Sequence, residues 1–219
     1  MREELFADAE LAARRGAELI AAAAAEAVDA RGGFSLAVSG GHGPWRMFEL
    51  LDSHEIEWER VTVFQVDERV APDGDDDRNL THLRPSLPQA ARERIRPMPV
   101  TEDELDAAAA RYAEQLPERF DLVHLGLGPD GHAASLVPGD PVLEAADRLV
   151  AVTGSYQGRR RMTLTYPALD AARRILWLVT GDDKREALAK LRAGDRSIPG
   201  GRVARERAIV LADAAAAPD

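Results

Sequence analysis

Asp130 and His132 stand two residues apart in Leu125-Gly126-Leu127-Gly128-Pro129-Asp130-Gly131-His132-Ala133-Ala134-Ser135-Leu136-Val137-Pro138, a stretch crowded with Gly and Pro. A neutral imidazole can take a proton from water near neutral pH, and a carboxylate beside it fixes the tautomer or stabilises the charged form. Glycine allows tight turns and close ligand approach, and Pro129 stiffens the turn. The same residue types would also serve an ordinary turn, with Asp130 capping a helix and His132 in solvent.

Three further polar clusters follow apolar runs. Ser39-Gly40-Gly41-His42-Gly43 comes after Phe34-Ser35-Leu36-Ala37-Val38, and Asp67-Glu68-Arg69 after Val61-Thr62-Val63-Phe64-Gln65-Val66. Thr180-Gly181-Asp182-Asp183-Lys184 comes after Ile175-Leu176-Trp177-Leu178-Val179. A glycine turn leading into a helix that Pro44 can open would converge free N–H groups on an anion, although the spacing is neither a P-loop nor a dinucleotide fingerprint. The alternative for this turn is pure geometry, and for Asp67-Glu68-Arg69 a surface ion pair. Lys184, Arg69 and Arg161 are the cations suited to a phosphate. Asp73-Gly74-Asp75-Asp76-Asp77-Arg78-Asn79 fails as a calcium loop because Arg78 and Arg84 fall where Gly and Glu are required. It reads as a solvated acidic loop, with Arg78 or Asn79 a candidate to face the site.

The elements that must carry these clusters alternate. A long helix is expected from Glu3 to about Ala30, ended by Arg31-Gly32-Gly33. Trp45, Phe48 and Leu51 mark the stripe of a second helix. Thr101-Glu102-Asp103-Glu104 reads as a capping box for a third, whose face is Leu105, Ala108, Ala109, Tyr112 and Leu116. Strands are expected at 34–38, 61–66, 122–125, around 150–152 and at 175–179, with a last one at 208–211. Asp182 can cap a helix reaching Arg192, which would set Lys184 in its first turn. A cation there opposes the helix dipole and would be relieved by a bound anion. Arg159-Arg160-Arg161-Met162-Thr163-Leu164-Thr165 joins a basic run, which would equally serve as a solvated face, to a strand-like alternation. The Ala-rich tail is expected to fray. Strands alternating with helices point to one α/β domain over residues 1–219, with a mostly parallel sheet whose strand ends share one edge. On that edge a phosphate half (the glycine turn, Lys184, and Arg69 or Arg161) would face an acid/base half (Asp130 and His132, with Asp67 as a further candidate). The ligand expected is a small phosphorylated molecule undergoing proton transfer.

Composition narrows the field. A chain of 219 residues can build one sizeable core. The net charge of -10 argues against nucleic acid or an anionic membrane as main partner. With no cysteine, thiolate chemistry is excluded and a cytoplasmic location is compatible. Neither a signal peptide nor a transmembrane helix is expected.

Ser39-Gly40-Gly41, Asp67-Glu68-Arg69, the Gly126 to Pro138 stretch and Arg161-Met162-Thr163-Leu164-Thr165 occur in an order that resembles the 6-phosphogluconolactonases. The resemblance spans about Phe34 to Lys184. It implies a Rossmann-like α/β fold shared with glucosamine-6-phosphate deaminase and ribose-5-phosphate isomerase. It also implies hydrolysis of 6-phospho-D-glucono-1,5-lactone in the oxidative pentose phosphate pathway, with no metal or organic cofactor; from the sequence no obligatory protein partner is inferred. Carried onto this chain, His132 resembles the base that activates water, Asp130 the carboxylate beside it, and Arg69, Arg161 and Lys184 the groups that bind and position the phosphorylated substrate. The family commonly has a hydroxyl residue before the proline of the glycine turn, where this chain has Gly43. Two rivals share the fold. Deaminases carry a Glu five residues after the loop histidine, where Val137 stands here; non-catalytic sugar-phosphate sensors usually append a DNA-binding segment, and this sequence shows none.

Overall fold

The structure, a computed structural model, describes residues 1–217. Ten strands form: β1 (Arg2–Phe6), β2 (Phe34–Val38), β3 (Val61–Gln65), β4 (Asp67–Arg69), β5 (Ile95–Arg96), β6 (Leu122–Gly126), β7 (Val150–Val152), β8 (Arg161–Leu164), β9 (Ile175–Val179) and β10 (Ala208–Asp213). The α-helices are α1 (Ala9–Arg31), α2 (His42–Glu49), α3 (Asn79–Ser86), α4 (Gln89–Arg92), α5 (Leu105–Ala113), α6 (Tyr166–Asp170) and α7 (Arg185–Ala193).

Seven strands make a parallel sheet in the order β1-β10-β9-β6-β2-β3-β5. The continuous apolar strands are explained by burial on both faces. Leu176 and Leu178 face one core with α1, α2 and α3, while Ile175, Trp177 and Val179 face a second with α5, α6 and α7. Chain order runs outward from β2 through β3 to β5, then returns to β6 on the other side of β2. The reversal between β2 and β6 opens a crevice at their carboxyl ends, the usual ligand position in such sheets. Among the described residues no helix is long and apolar enough to cross a membrane.

Several local expectations change. Residues 2–6 are not the start of the first helix but an edge strand, paired with β10 from Arg2↔Ile209 to Phe6↔Asp213. Edge pairing satisfies the backbone whatever the helix propensity of Glu and Arg, and Asp8 starts the helix by accepting from Leu11 N–H at 2.8 Å. Gly32 ends it in the left-handed region at φ 78°. The capping box does not form: Glu104 precedes α5 without a side-chain bond, and Glu102 pairs with Arg111. Asp182 caps nothing either, since Asp182–Lys184 is a short 3₁₀ turn and α7 begins at Arg185. The tail from Ala214 to Ala217 is pinned rather than frayed. Ala214 N–H donates to Phe6 C=O, Ala216 N–H to the Asp213 carboxylate, and Ala216 and Ala217 are buried. Pro218 and Asp219 lie outside the described residues.

Asp67-Glu68-Arg69 does not end a strand of the main sheet. It forms β4 of a three-stranded antiparallel sheet, β4-β8-β7, with Arg69 opposite Arg161 and Asp67 opposite Thr163. The chain leaves β3 at Val66, whose backbone N–H donates to Val38 C=O and whose C=O accepts from Leu164 N–H, so one residue joins the two sheets. Arg161 is thereby inward-facing and buried, while Arg160 is exposed and Arg159 pairs with Asp75 and Asp77.

Candidate active site

A cleft of about 380 Å³ lies outside the carboxyl ends of β2, β6 and β9. It is lined by Ser39, Gly40, Gly41, Asp67, Arg69, His132, Arg161 and Lys184, joined by Asn79 and Thr180. Two residues singled out from sequence are not in its wall: Asp130, which stands behind His132, and Arg78.

The His132–Asp130 pair is built by the loop after β6. Gly128 N–H donates to His132 C=O and Gly131 N–H to Gly128 C=O, closing the turn, while Gly131 takes φ 83°. His132 Nδ1 and Asp130 Oδ1 are 2.6 Å apart. With its proton on Nδ1, the ring donates to the carboxylate and leaves the Nε2 lone pair for a substrate or water. Burial acts against the Asp130 charge, but the adjacent His132 ring, its backbone N–H and the Tyr156 hydroxyl together hold this carboxyl below its usual range. Tyr156 donates from its hydroxyl to Asp130 Oδ2 at 3.0 Å.

The opposite wall is cationic and rich in unengaged donors. Gly41, at φ 130°, precedes α2, and no side chain caps that helix, so its first-turn N–H groups are available to an anion. Ser39 Oγ, Arg69 Nε and Arg161 Nε are buried and have no hydrogen-bond partner among the described residues. Arg161 is 4% exposed. Its burial lowers its pKa, Asp67 offsets this in part, and Arg69 adds to the lowering. An anion between the two arginines would relieve that strain. Lys184 Nζ pairs with Asp183 at 2.8 Å, so the cation expected to oppose the helix dipole has a carboxylate partner of its own. Thr180 Oγ1 lies 3.3 Å from where a Cβ on Gly43 would stand, so the end of β9 brings a hydroxyl to the place where the glycine turn lacks one.

Asp67 is deep in the cleft, 5% exposed. Ser135 Oγ donates to its Oδ2 at 2.6 Å, and Asn79 Nδ2 donates to its C=O at 3.0 Å. Its carboxylate makes no hydrogen bond to His132 among the described residues; it is a fixed charge facing Arg161. Asn79 also accepts from Arg69 Nη1 at 2.9 Å, linking Arg69 to Asp67. Arg78 turns away to Glu68 and Asp73. Glu68 is fully buried and structural, accepting from the N–H groups of Asn79 and Leu80 that open α3. Sequence reasoning missed Tyr156, Ser135 and Thr180 as partners of the site. For Tyr156 the only signal was a lone aromatic in a polar turn before a basic run. Among the described residues no group of three or more His, Asp or Glu gathers as metal ligands would.

The sequence matches the family described as "Glucosamine-6-phosphate isomerases/6-phosphogluconolactonase" over residues 7–211. The 6-phosphogluconolactonase of Mycobacterium tuberculosis is 34% identical, with 98% of this chain and 96% of the relative covered. That of Streptomyces coelicolor is 35% identical over 95% and 93%. The crystal structure of a 6-phosphogluconolactonase from Shewanella baltica superposes with a TM-score of 0.88 at 28% identity, covering 97% of both chains. A monomeric glucosamine-6-phosphate deaminase also superposes, with a TM-score of 0.82 at 20% identity over 99% of both chains, and so shares the fold. With a family match over nearly its whole length and relatives above one-third identity, this chain belongs to the glucosamine-6-phosphate isomerase/6-phosphogluconolactonase family.

Proposed function

We infer that the protein hydrolyses 6-phospho-D-glucono-1,5-lactone to 6-phospho-D-gluconate, the lactonase step of the oxidative pentose phosphate pathway. The observation that carries this is the His132–Asp130 pair facing a cleft whose other wall holds Arg69, Arg161, Lys184 and the uncapped start of α2. Nε2 of His132 takes a proton from water as the oxygen attacks the lactone carbonyl. The carbonyl oxygen gains negative charge, which a neighbouring cation stabilises. Collapse expels the ring oxygen, and the imidazolium returns the proton to it, so water is divided between a carboxylic acid and a hydroxyl group. The phosphate rests on the glycine turn and the cations, with Ser39 and Thr180 offering hydroxyls, and the Asp67 carboxylate partly offsets the buried charge of Arg161. The substrate is a small sugar phosphate, and we assign neither nucleic acid nor membrane as partner. A cytoplasmic location accords with a cysteine-free, acidic chain.

Because a deaminase shares the fold, the fold does not choose between the two chemistries. Val137 favours the lactonase, since it places a buried apolar side chain where the deaminase loop has its Glu. The purified protein, with chelator present, is expected to hydrolyse the lactone faster than its spontaneous opening. His132→Ala should lower kcat by about 10²–10⁴-fold. A fully active variant would remove His132 from the mechanism, and ammonia release from glucosamine 6-phosphate would move the assignment to the deaminases.

A further inference from the structure

Tyr156 touches both halves of the cleft from an element of its own. It sits in the hairpin between β7 and β8, where its N–H donates to Arg159 C=O at 2.9 Å and Arg159 N–H donates back at 3.2 Å. The two residues between them, Gln157 and Gly158, take φ 52° and 79°. That is the tight left-handed turn that matches strand twist, so the direction of Tyr156 is set by backbone and not by a floppy loop. From there its hydroxyl reaches Asp130 Oδ2 at 3.0 Å, and its ring stands edge-on to His132, with centroids 5.6 Å apart at 67°. The Arg161 guanidinium carbon lies 5.0 Å from the ring centroid.

We propose that Tyr156 is a positioning residue of the hydrolytic site: its hydroxyl clamps Asp130 against His132, and its ring is the platform on which Arg161 is held. The proposal rests on the lactonase reading above. The Asp130 carboxylate is one-third exposed and the His132 side chain about one-fifth, so packing alone does not hold them. A carboxylate torsion is broad, and with Oδ1 engaged by His132 a donor on Oδ2 is what fixes the plane. Fixing it keeps the His132 proton on Nδ1 and the reactive lone pair on Nε2. The aromatic face meets a different need. Arg161 is buried, its Nη2 donates to Gln157 Oε1 at 3.2 Å while its Nε has no hydrogen-bond partner among the described residues, and a π-face stabilises a cation that water no longer reaches. Burial, then the hydrogen bond to Asp130, raises the Tyr156 pKa, which keeps the hydroxyl a donor.

Two variants separate the roles, because Tyr156→Phe keeps the ring and Tyr156→Ala removes it. Steady-state lactonase kinetics should show kcat of Tyr156→Phe reduced about tenfold, the scale of one hydrogen bond to a charged group, with KM within about twofold of wild type. Tyr156→Ala should lose a similar factor in kcat and also raise KM several-fold, because Arg161 loses its aromatic platform and keeps only the bond from Nη2 to Gln157. Ser155→Ala, an exposed neighbour in the same hairpin, should match wild type. Wild-type kcat in Tyr156→Phe overturns the clamp, unchanged KM in Tyr156→Ala overturns the platform, and equal losses in Ser155→Ala reduce the effect to disturbance of the hairpin. A wild-type protein without lactonase activity would sink the functional reading and this proposal with it, an outcome distinct from an active wild type matched by its Tyr156 variants.

Discussion

Gly128 lies beneath the His132 ring. A Cβ there would overlap Nδ1 and Cε1 of the imidazole and stand 2.7 Å from Asp130 Oδ1. The atoms that must yield belong to side chains in a cleft, so the fold can absorb the change while the His132–Asp130 pair cannot. Gly128→Ala is therefore expected to keep its folding stability within about 1 kcal/mol of wild type yet lose about 10²-fold in kcat. Thermal melts beside lactonase kinetics test this, and an active variant would mean that the ring can tilt without harm. His132 and Asp130 were legible as residue types because both lie on one short loop. Tyr156 was not, since its contact with Asp130 spans 26 positions of sequence and depends on the turn of a hairpin from another sheet.

At the scale of elements, β4 does the most with the least chain. Its three residues divide the labour: Asp67 and Arg69 face the cleft, and the fully buried Glu68 points away. Glu68 accepts from the N–H groups of Asn79 and Leu80 at 2.7 and 2.9 Å and pairs with Arg78 at 3.2 Å, so one carboxylate fastens α3 and through it Asn79. Glu68→Ala would leave Arg78 buried without its internal carboxylate and should cost about 3–5 kcal/mol in urea unfolding, with activity falling further as Asn79 releases Arg69. A loss below 1 kcal/mol would show that Asp73 suffices for Arg78. Asp67-Glu68-Arg69 stood out in the sequence, and its Asp67 and Arg69 do line the cleft, but its assignment to the edge of a parallel sheet was not correct. Three residues are too few for an alternation pattern to declare a separate sheet. The same limit explains β1, where edge pairing to a strand about two hundred residues later overrode local helix propensity.

Over the whole molecule, the parallel sheet and its two cores hold the loops in register, and His124 at the centre of β6 reports on that state. It is wholly buried, packs edge-on to Phe48 at 5.5 Å, and accepts from Ser39 N–H at a long 3.4 Å. Burial pushes its pKa down to about 3 from the ordinary 6.5. Between those values the unfolded chain binds a proton that the folded protein refuses, so this group's contribution to stability falls as pH drops from 6.5 towards 3. At about pH 5 it should amount to a loss of about 2 kcal/mol relative to neutral pH. His124→Leu should weaken that acid sensitivity, and equal losses in urea midpoint between about pH 7.5 and pH 5 in both proteins would refute it. The sequence by itself determined the alternation of strands and helices, the apolar strands buried on both faces, and the residue types of the acid/base loop and glycine turn. Each of these is written in local periodicity or in a short motif. Only the tertiary structure decided that Arg161 faces Arg69 across an antiparallel ladder, that Thr180 stands beside Gly43, and that Tyr156 reaches Asp130. Those contacts join residues brought together by strand order and sheet register, and side-chain chemistry along the chain carries no record of such distances.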